Sequence, residues 1–204
     1  MRVGSSMVEQ LGFPLDNGGS IPTSTLQCKV MFCDWGDIQQ IFADNHYKSN
    51  HMGGDISCCF RLEFNGNTIG GAVYGPPRHD GVYGDGVLDL RRFACVEDAP
   101  KNTESFFLSK TILLIKKHKM AKKILTYADE TQGHRGTIYK ACNFKKIGET
   151  KPGKHIEWNG RQYHMRSMTI DRPYSYELRK AVASGEAKIV QGLHKNIFIY
   201  DIYR

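Results

Sequence analysis

The sequence predicts an α/β (α+β) fold in which a mixed, mostly antiparallel sheet is flanked by helices and carries extra strands near its C-terminal end. From residue 28 onward, short apolar segments alternate with amphipathic ones in the order β-α-β-β-β-α-β-α-β. Two Asn-Gly pairs, at 65–66 and 159–160, each separate two strand-like segments, as the tight turn of a hairpin does. The 204 residues suffice for one core, and no linker-like stretch follows residue 28, so 28–204 is expected to be a single catalytic domain.

The elements of the first half follow from periodicity and from capping residues. Ile38, Ile41 and Phe42 share one face of a predicted helix that Asp34 can cap. The predicted order is a strand over 26–33, a helix over 34–47, a hairpin of 56–64 and 68–74, a strand over 87–96, and a long helix from Asn102 or Thr103 to about 119.

The second half is predicted in the same way. Its elements are a strand over 123–127, a helix over 134–143, a strand over 146–149, a hairpin of 155–159 and 162–169, a helix over 174–183 ended by Gly185, and strands over 187–191 and 196–203. The strand over 123–127 enters its helix through a polar loop. Such a strand–loop–helix unit turns polar groups toward one crevice. If the helix begins near His134, Asp129 and Tyr139 are expected to face the same hollow.

Residues 1–27 are expected to lie outside this domain as a disordered leader. VGSSMVEQ reads like the translated D-arm of a transfer RNA gene, and GGSIPTST like its translated TψC arm. We therefore expect that the start codon lies inside a neighbouring tRNA gene and that the natural chain starts near Met31. An ordinary disordered leader is the alternative.

Composition limits the classes of partner. The net charge of +7 permits a polyanionic partner without establishing one. No apolar run approaches the roughly 20 residues of a membrane span, so no membrane is expected. The six cysteines form no Cys-x-x-Cys pair and are interpreted as reduced, cytosolic, mostly core residues in preference to a zinc site. A basic cluster is formed by Lys110, Lys116, Lys117, His118, Lys119, Lys122 and Lys123. It is either a solvated face or a surface that contacts DNA phosphates. In the second case Lys145, Lys146, Lys151 and Lys154 would extend it.

Several short motifs resemble one family. They are HYK at 46–48, LRRF at 90–93, DAPKNTES at 98–105, YADETQGHRGTIYKACNF at 127–144 and YSYELRKA at 174–181. These motifs resemble the bacteriophage Mom family of GNAT-like DNA-modification proteins, and the element order resembles the GNAT acyltransferase superfamily. The resemblance implies an enzyme that converts adenine N6 in double-stranded DNA into a carbamoylmethylated form and so shields phage DNA from host restriction enzymes. It also implies a phage or prophage gene and action in the cytoplasm of a bacterial host, as a monomer or a homodimer.

The resemblance carries specific roles onto this chain. Asp129 is expected to accept a hydrogen bond from adenine N6–H and to take the proton, with a turn or cap aspartate as the alternative. Tyr139 is expected to protonate a leaving group or to stack on a flipped adenine, with core packing as the alternative. Arg92 is expected to be buried and to bind a substrate group, whereas Arg91 is expected to face solvent.

The start of the long helix departs from the acetyltransferase pattern. Acetyltransferases hold the pyrophosphate of coenzyme A on a Gly-rich loop at this point, but here the loop has no glycine and Pro100 removes a donor. Asn102, Thr103 and Ser105 remain candidate cofactor-binding residues, and Ser105 is also a catalytic candidate. For each of the three, local capping is the alternative.

His46 and Tyr47 are further catalytic candidates at the end of the first helix, as a lid, a proton source or part of a metal site. A helix-terminal histidine favoured by the helix dipole is the structural alternative. The cofactor stays open: acetyl-CoA or a related donor, and iron. Two rival functions also stay open: a coenzyme A-dependent N-acetyltransferase acting on a small amine or a protein, and a non-enzymatic DNA-binding protein.

Overall fold

The computed structural model describes residues 19, 21–45, 54–77, 82–130 and 133–203. It contains ten strands: β1 Lys29–Cys33, β2 Cys58–Phe64, β3 Asn67–Gly75, β4 Val87–Cys95, β5 Lys123–Asp129, β6 Lys145–Glu149, β7 Lys154–Trp158, β8 Arg161–His164, β9 Lys188–Gln191 and β10 Lys195–Asp201. The four α-helices of this described part are α1 Trp35–Asn45, α2 Thr103–Lys117, α3 Thr137–Ala141 and α4 Ser175–Ser184.

The predicted fold class is confirmed. A seven-stranded sheet has the order β1-β2-β3-β4-β5-β10-β6, and a three-stranded sheet has the order β8-β7-β9. β4 and β5 pair in parallel, whereas the β1–β2, β2–β3, β5–β10 and β6–β10 pairs are antiparallel. The described residues divide into two compact units, those within Met1–Gly75 and Arg91–Leu114 forming the first and those within Pro76–Leu90 and Ile115–Arg204 the second.

The first unit has a core between α1 and its sheet. Ile38, Ile41 and Phe42 are buried against strand residues such as Val73, which confirms the predicted apolar face of α1. In the β2–β3 hairpin, Asn65 and Gly66 both have positive φ, 47° and 79°, as the predicted turn requires.

The second unit has a core around the small sheet. Ile156 of β7 packs with Leu178 and Ala181 of α4 and with Ala187. The β7–β8 turn has the predicted Asn-Gly geometry, and α4 ends at Gly185 with φ 83° as expected. β10 pairs with β5 along its whole length, from Lys195 opposite Asp129 to Asp201 opposite Lys123.

Several predicted boundaries are wrong. β1 begins at Lys29 because a 3-10 turn, Thr25–Gln27, precedes it; Ser24 and Gln27 form a capping box around this turn. The second strand of the β7–β8 hairpin ends at His164, since Met165–Met168 form another 3-10 turn. None of the described helices has both the length and the hydropathy needed to cross a membrane.

The start of α3 also differs from the prediction, at Thr137 instead of His134. Gly136 precedes it in a left-handed conformation, φ 73°, which interrupts the helical backbone. Phe198 fills the space that a side chain at position 136 would need. The leader lies largely outside the described residues, as residues 1–18 and 20.

Candidate active site

Asp129 is the last residue of β5, and its carboxylate is bound by a lysine of the next strand. Lys195 Nζ lies 2.7 Å from Asp129 Oδ2, and the two residues are register partners in the β5–β10 pair. The Asp129 side chain is 12% exposed and that of Lys195 37% exposed. The Asp129 carbonyl also accepts a hydrogen bond from the His134 amide at 3.1 Å. Both the backbone and the side chain of Asp129 therefore have defined partners.

A polar cluster continues from this pair across the ends of three strands. Asn196 Nδ2 donates to Glu130 Oε1 at 2.6 Å. His194 Nε2 lies 3.5 Å from Glu130 Oε2 and 3.3 Å from Glu149 Oε2. The Glu149 pKa is lowered, chiefly by its hydrogen bond with Lys146 and further by the charge of His194. The cluster thus joins the end of β5, the start of β10 and the end of β6 through side chains.

Tyr139 lies in α3, where its ring packs among aromatic side chains. The ring centroid is 5.5 Å from that of Phe198 and 5.7 Å from that of Phe144. Phe198 belongs to β10 and is buried, whereas Tyr139 is half-buried. These contacts fix the ring, so its hydroxyl is held at the end of a packed side chain.

Strand alternation separates Asp129 from the ring of Tyr139. Side chains on a strand alternate between the two faces of a sheet, and register partners share a face. Lys195 and Asp129 therefore project from one face of the β5–β10 pair, and Phe198 from the other. The Tyr139 ring packs on the Phe198 side. A hollow shared by Asp129 and Tyr139 was expected if the helix began near His134. That condition is not met, because α3 begins at Thr137.

Arg92 of β4 is buried, as its apolar neighbours predict. It is 8% exposed, and its guanidinium carbon lies 5.9 Å from the centroid of the Phe42 ring, within the range of a cation–π contact. The expectation that Arg91 faces solvent is wrong. Arg91 is half-buried, and its Nη1 donates to the Asp55 carbonyl at 2.5 Å.

The start of α2 has its polar groups turned onto its own backbone. The Thr103 amide and hydroxyl both donate to the Pro100 carbonyl, at 3.1 and 2.7 Å. Ser105 Oγ donates to the Asn102 carbonyl at 3.0 Å, and Asn102 has φ 70°. Thr103 is buried, at 2% exposure. These hydrogen bonds are local caps, which is the alternative stated above for these residues. A cofactor-binding role for them stays a prediction.

His46 and Tyr47 lie outside the described residues. Within 21–45, 54–77, 82–130 and 133–203, no group of three or more His, Cys, Asp or Glu side chains is arranged to hold a metal ion.

Five of the six cysteine thiols have a raised pKa and are protonated at neutral pH. Burial raises the pKa of Cys33 and Cys58 to about 12 and that of Cys59 to about 11. Burial also raises the pKa of Cys28 and Cys95. Because the thiolate is the reactive form of cysteine, these five residues are structural.

A basic surface is formed by Lys116, Lys117, Lys119, Lys122 and Lys123, at the end of α2 and the start of β5. The first four are exposed, and Lys116 Nζ lies 5.9 Å from the centroid of the Tyr203 ring. The Lys122 amide donates to the Gly86 carbonyl at 2.7 Å, which fixes the turn. Lys123 is half-buried and is the register partner of Asp201. Lys123 is therefore less accessible to solvent than the other four lysines.

Comparison with known proteins identifies the family. The model of the Mom protein family matches residues 28–202. This chain belongs to the Mom protein family. An 80-residue segment is 31% identical to the methylcarbamoylase Mom of Escherichia phage Mu, covering 39% of this chain and 33% of that protein. The match therefore spans about a third of the length of that relative.

Solved structures show the GNAT fold. An N-acetyltransferase from Staphylococcus aureus Mu50 has a TM-score of 0.53 at 13% identity, over 86% of this chain and 98% of that chain. The ribosomal-protein-S18-alanine N-acetyltransferase from Escherichia coli has a TM-score of 0.53 at 11% identity, over 87% and 95%. A Bacillus subtilis acetyltransferase, solved in complex with CoA, has a TM-score of 0.52 at 11% identity, over 85% and 98%.

Sequence reasoning missed three members of the polar cluster in this Mom-family chain: His194, Lys195 and Asn196. They lie at the start of β10 or directly before it, and the sequence indicates this strand mainly through its aromatic residues. Lys195 contacts Asp129 because β10 pairs with β5, and spacing within either strand carries no sign of that pairing. One signal was present, since a charged and polar trio directly before an apolar strand marks a strand end.

Proposed function

We propose that this protein is a transferase that attaches a carbamoylmethyl group to N6 of adenine in double-stranded DNA, and that the modification protects phage DNA from host restriction enzymes. The observation that carries the proposal is the Mom-family match over residues 28–202, which includes the whole β5–loop–α3 stretch. The relative from phage Mu is named a methylcarbamoylase, and the GNAT fold is one on which group transfer to nitrogen is common.

Asp129 is the proposed acceptor for the N6 proton. The lone pair of adenine N6 is delocalised into the ring, so N6 is a weak nucleophile. A carboxylate that accepts a hydrogen bond from N6–H and takes the proton as the new bond forms raises its reactivity. The ammonium of Lys195, 2.7 Å away, binds one oxygen of this carboxylate and so restricts its orientation.

Tyr139 is the proposed second participant, through its hydroxyl. It protonates the leaving group or stacks its ring on the extruded base. The packing of its ring against Phe198 and Phe144 supports the first role, since those two rings already hold it.

The basic surface is the proposed contact with DNA. Exposed lysines at Lys116, Lys117, Lys119 and Lys122 can neutralise backbone phosphates without reading sequence. Enzymes that act on a base within a duplex extrude it into a pocket, and we expect the target adenine to be flipped.

Restriction digestion tests the proposal. Plasmid DNA from cells that express the protein should resist enzymes whose recognition sites contain adenine, while plasmid from cells with an empty vector should be cut. Full cleavage of both plasmids, at confirmed expression, would refute the protective function.

A coenzyme A-dependent N-acetyltransferase is the second candidate, favoured by the fold of the solved neighbours. The start of α2 weighs against it, because the Thr103 amide is engaged by the Pro100 carbonyl and the loop has no glycine. Titration with acetyl-CoA in a thermal-shift assay separates the candidates. A coenzyme A site should raise the melting temperature with ligand concentration, and we expect no such rise.

A further inference from the structure

We propose that Lys195 is a positioning residue that holds the Asp129 carboxylate in the orientation needed for transfer to adenine N6. The inference rests on the proposed function, and it concerns a residue on β10 that lies outside the motifs around Asp129. The ion pair of 2.7 Å between Lys195 Nζ and Asp129 Oδ2 is its starting point.

The Asp129–Lys195 pair lies where the chain leaves the sheet. Asp129 is the last residue of β5, and its carbonyl accepts the His134 amide at 3.1 Å. The Asp129 side chain is only 12% exposed, and an ammonium from the adjacent strand binds one of its oxygens. Lys195 is therefore one determinant of the direction of the carboxylate.

The backbone of Lys195 is hydrogen-bonded to Thr150, the residue that directly follows β6. Its amide donates to Thr150 Oγ1 at 3.0 Å, and its carbonyl accepts the Thr150 amide at 2.9 Å. The next residue, Asn196, is 4% exposed and donates to Glu130 at 2.6 Å. The ammonium is therefore carried by a backbone that is tied on both sides, as a positioning group requires.

The ion pair between Lys195 and Asp129 suits a carboxylate that accepts a proton from the substrate. A group that accepts a proton must point toward that proton, and an ammonium bound to one oxygen limits the directions that a carboxylate can take. A carboxylate has about four acceptor positions, so one ammonium does not exhaust its capacity to accept a hydrogen bond from substrate. Displacing a catalytic group by about 1 Å can cost on the order of 100-fold in rate, so loss of the ammonium should be visible in turnover.

Three variants of the full chain test the inference. Lys195→Met keeps the aliphatic stem and removes the charge, Lys195→Arg restores a cation, and Lys188→Met removes an exposed lysine elsewhere in the second unit as a control. The readout is the initial rate at which modified adenine accumulates in plasmid DNA after induction, divided by the amount of soluble protein.

We expect Lys195→Met to lower this rate roughly 10- to 100-fold, Lys195→Arg to recover most of the loss, and the control to match the wild type. DNA affinity and its salt dependence should be the same in all four proteins, because Lys195 serves Asp129 and not phosphate. Wild-type rates in Lys195→Met, or a loss that appears only as weaker DNA binding, would overturn the inference. If Lys195→Met does not fold, Lys195→Gln takes its place in the same comparison.

A double-mutant cycle in the rate of modification separates failure of this inference from failure of the proposed function. The four proteins are the wild type, Asp129→Asn, Lys195→Met and the double variant. A wild type that modifies no adenine refutes the proposed function. In an active wild type, a Lys195→Met loss that is just as large in the Asp129→Asn background overturns the inference alone, because Lys195 then does not act through Asp129.

Discussion

Polar side chains at the β5, β10 and β6 strand ends bind partners from distant parts of the chain, whereas those at the start of α2 bind their own backbone. Glu130 and Asn196 are separated by 66 residues, and Ser105 and Asn102 by three. A local cap forms wherever its helix forms and stabilises that helix. The strand-end cluster exists only when the whole sheet is assembled, and partly exposed ion pairs contribute little to stability. This contrast favours a functional role for the strand-end cluster and a structural one for the start of α2.

The strongest challenge to this contrast is Asp129→Asn, which should abolish DNA modification. The change keeps the shape and one acceptor oxygen but removes the charge and the ability to take a proton, a contribution of about 10²- to 10⁴-fold in rate. Stability and DNA affinity should change little. Asp171→Asn is the matched control, because Asp171 pairs with Arg179 on an exposed surface. Normal modification by Asp129→Asn would return Asp129 to a structural role.

Tyr139→Phe should lower modification by a smaller factor, roughly 10- to 100-fold, within the range of acid–base contributions. The ring contacts with Phe198 and Phe144 survive the change, so stability should be retained. The double variant that combines Tyr139→Phe with Asp129→Asn should lose less activity than the product of the two single losses if both residues act on one reacting centre. A fully multiplicative loss would mean that the two residues act independently, as their separation across the faces of the β5–β10 pair allows.

Changing Lys116, Lys117 and Lys119 to Glu should weaken DNA binding for all sequences alike. Each lost phosphate contact lowers the slope of log affinity against log salt by about one. Binding isotherms at several salt concentrations measure this effect, and Lys188→Glu is the control. An affinity that does not respond to salt would make the basic surface a solvated face.

At the start of α2, Thr103→Val should cost about 1 kcal/mol of unfolding free energy, because it removes the buried hydroxyl that donates to the Pro100 carbonyl. Ser105→Ala should cost less, about 0.5 kcal/mol, since this hydrogen bond is exposed. Denaturant unfolding gives both values. If Ser105→Ala instead reduces modification at unchanged stability, the start of α2 belongs to the active site.

Deletion of residues 1–27 should have the smallest effect, within roughly 0.5 kcal/mol of the wild-type stability and with normal modification. The Mom-family match begins at residue 28 and β1 at Lys29, so the deletion leaves both complete. A chain that begins at Met31 would lack the first two residues of β1 and their pairing with Glu63 and Leu62. Failure of the 1–27 deletion to fold would contradict the interpretation of this segment as a leader.

Local chemistry explains which parts of the fold were predictable from sequence. The Asn65-Gly66 and Asn159-Gly160 turns and the Gly185 helix end follow from residues that favour positive φ. The α3 start was misplaced because Gly136 adopts a left-handed conformation that interrupts the helix, in a position where Phe198, distant in sequence, leaves no space for a side chain. The partners of Asp129 and Glu130 come from β10, so they depended on a strand pairing that no local pattern encodes.

Nucleoside mass spectrometry of plasmid DNA tests the central claim most directly. DNA is taken from cells that express the wild type or Asp129→Asn at equal levels, digested to nucleosides and compared with DNA from cells that carry an empty vector. We predict a deoxyadenosine whose mass has increased by one carbamoylmethyl group in place of one N6 hydrogen, present with the wild type and absent with Asp129→Asn. Unmodified deoxyadenosine alone in the wild-type sample, or equal modification by both proteins, would contradict the account.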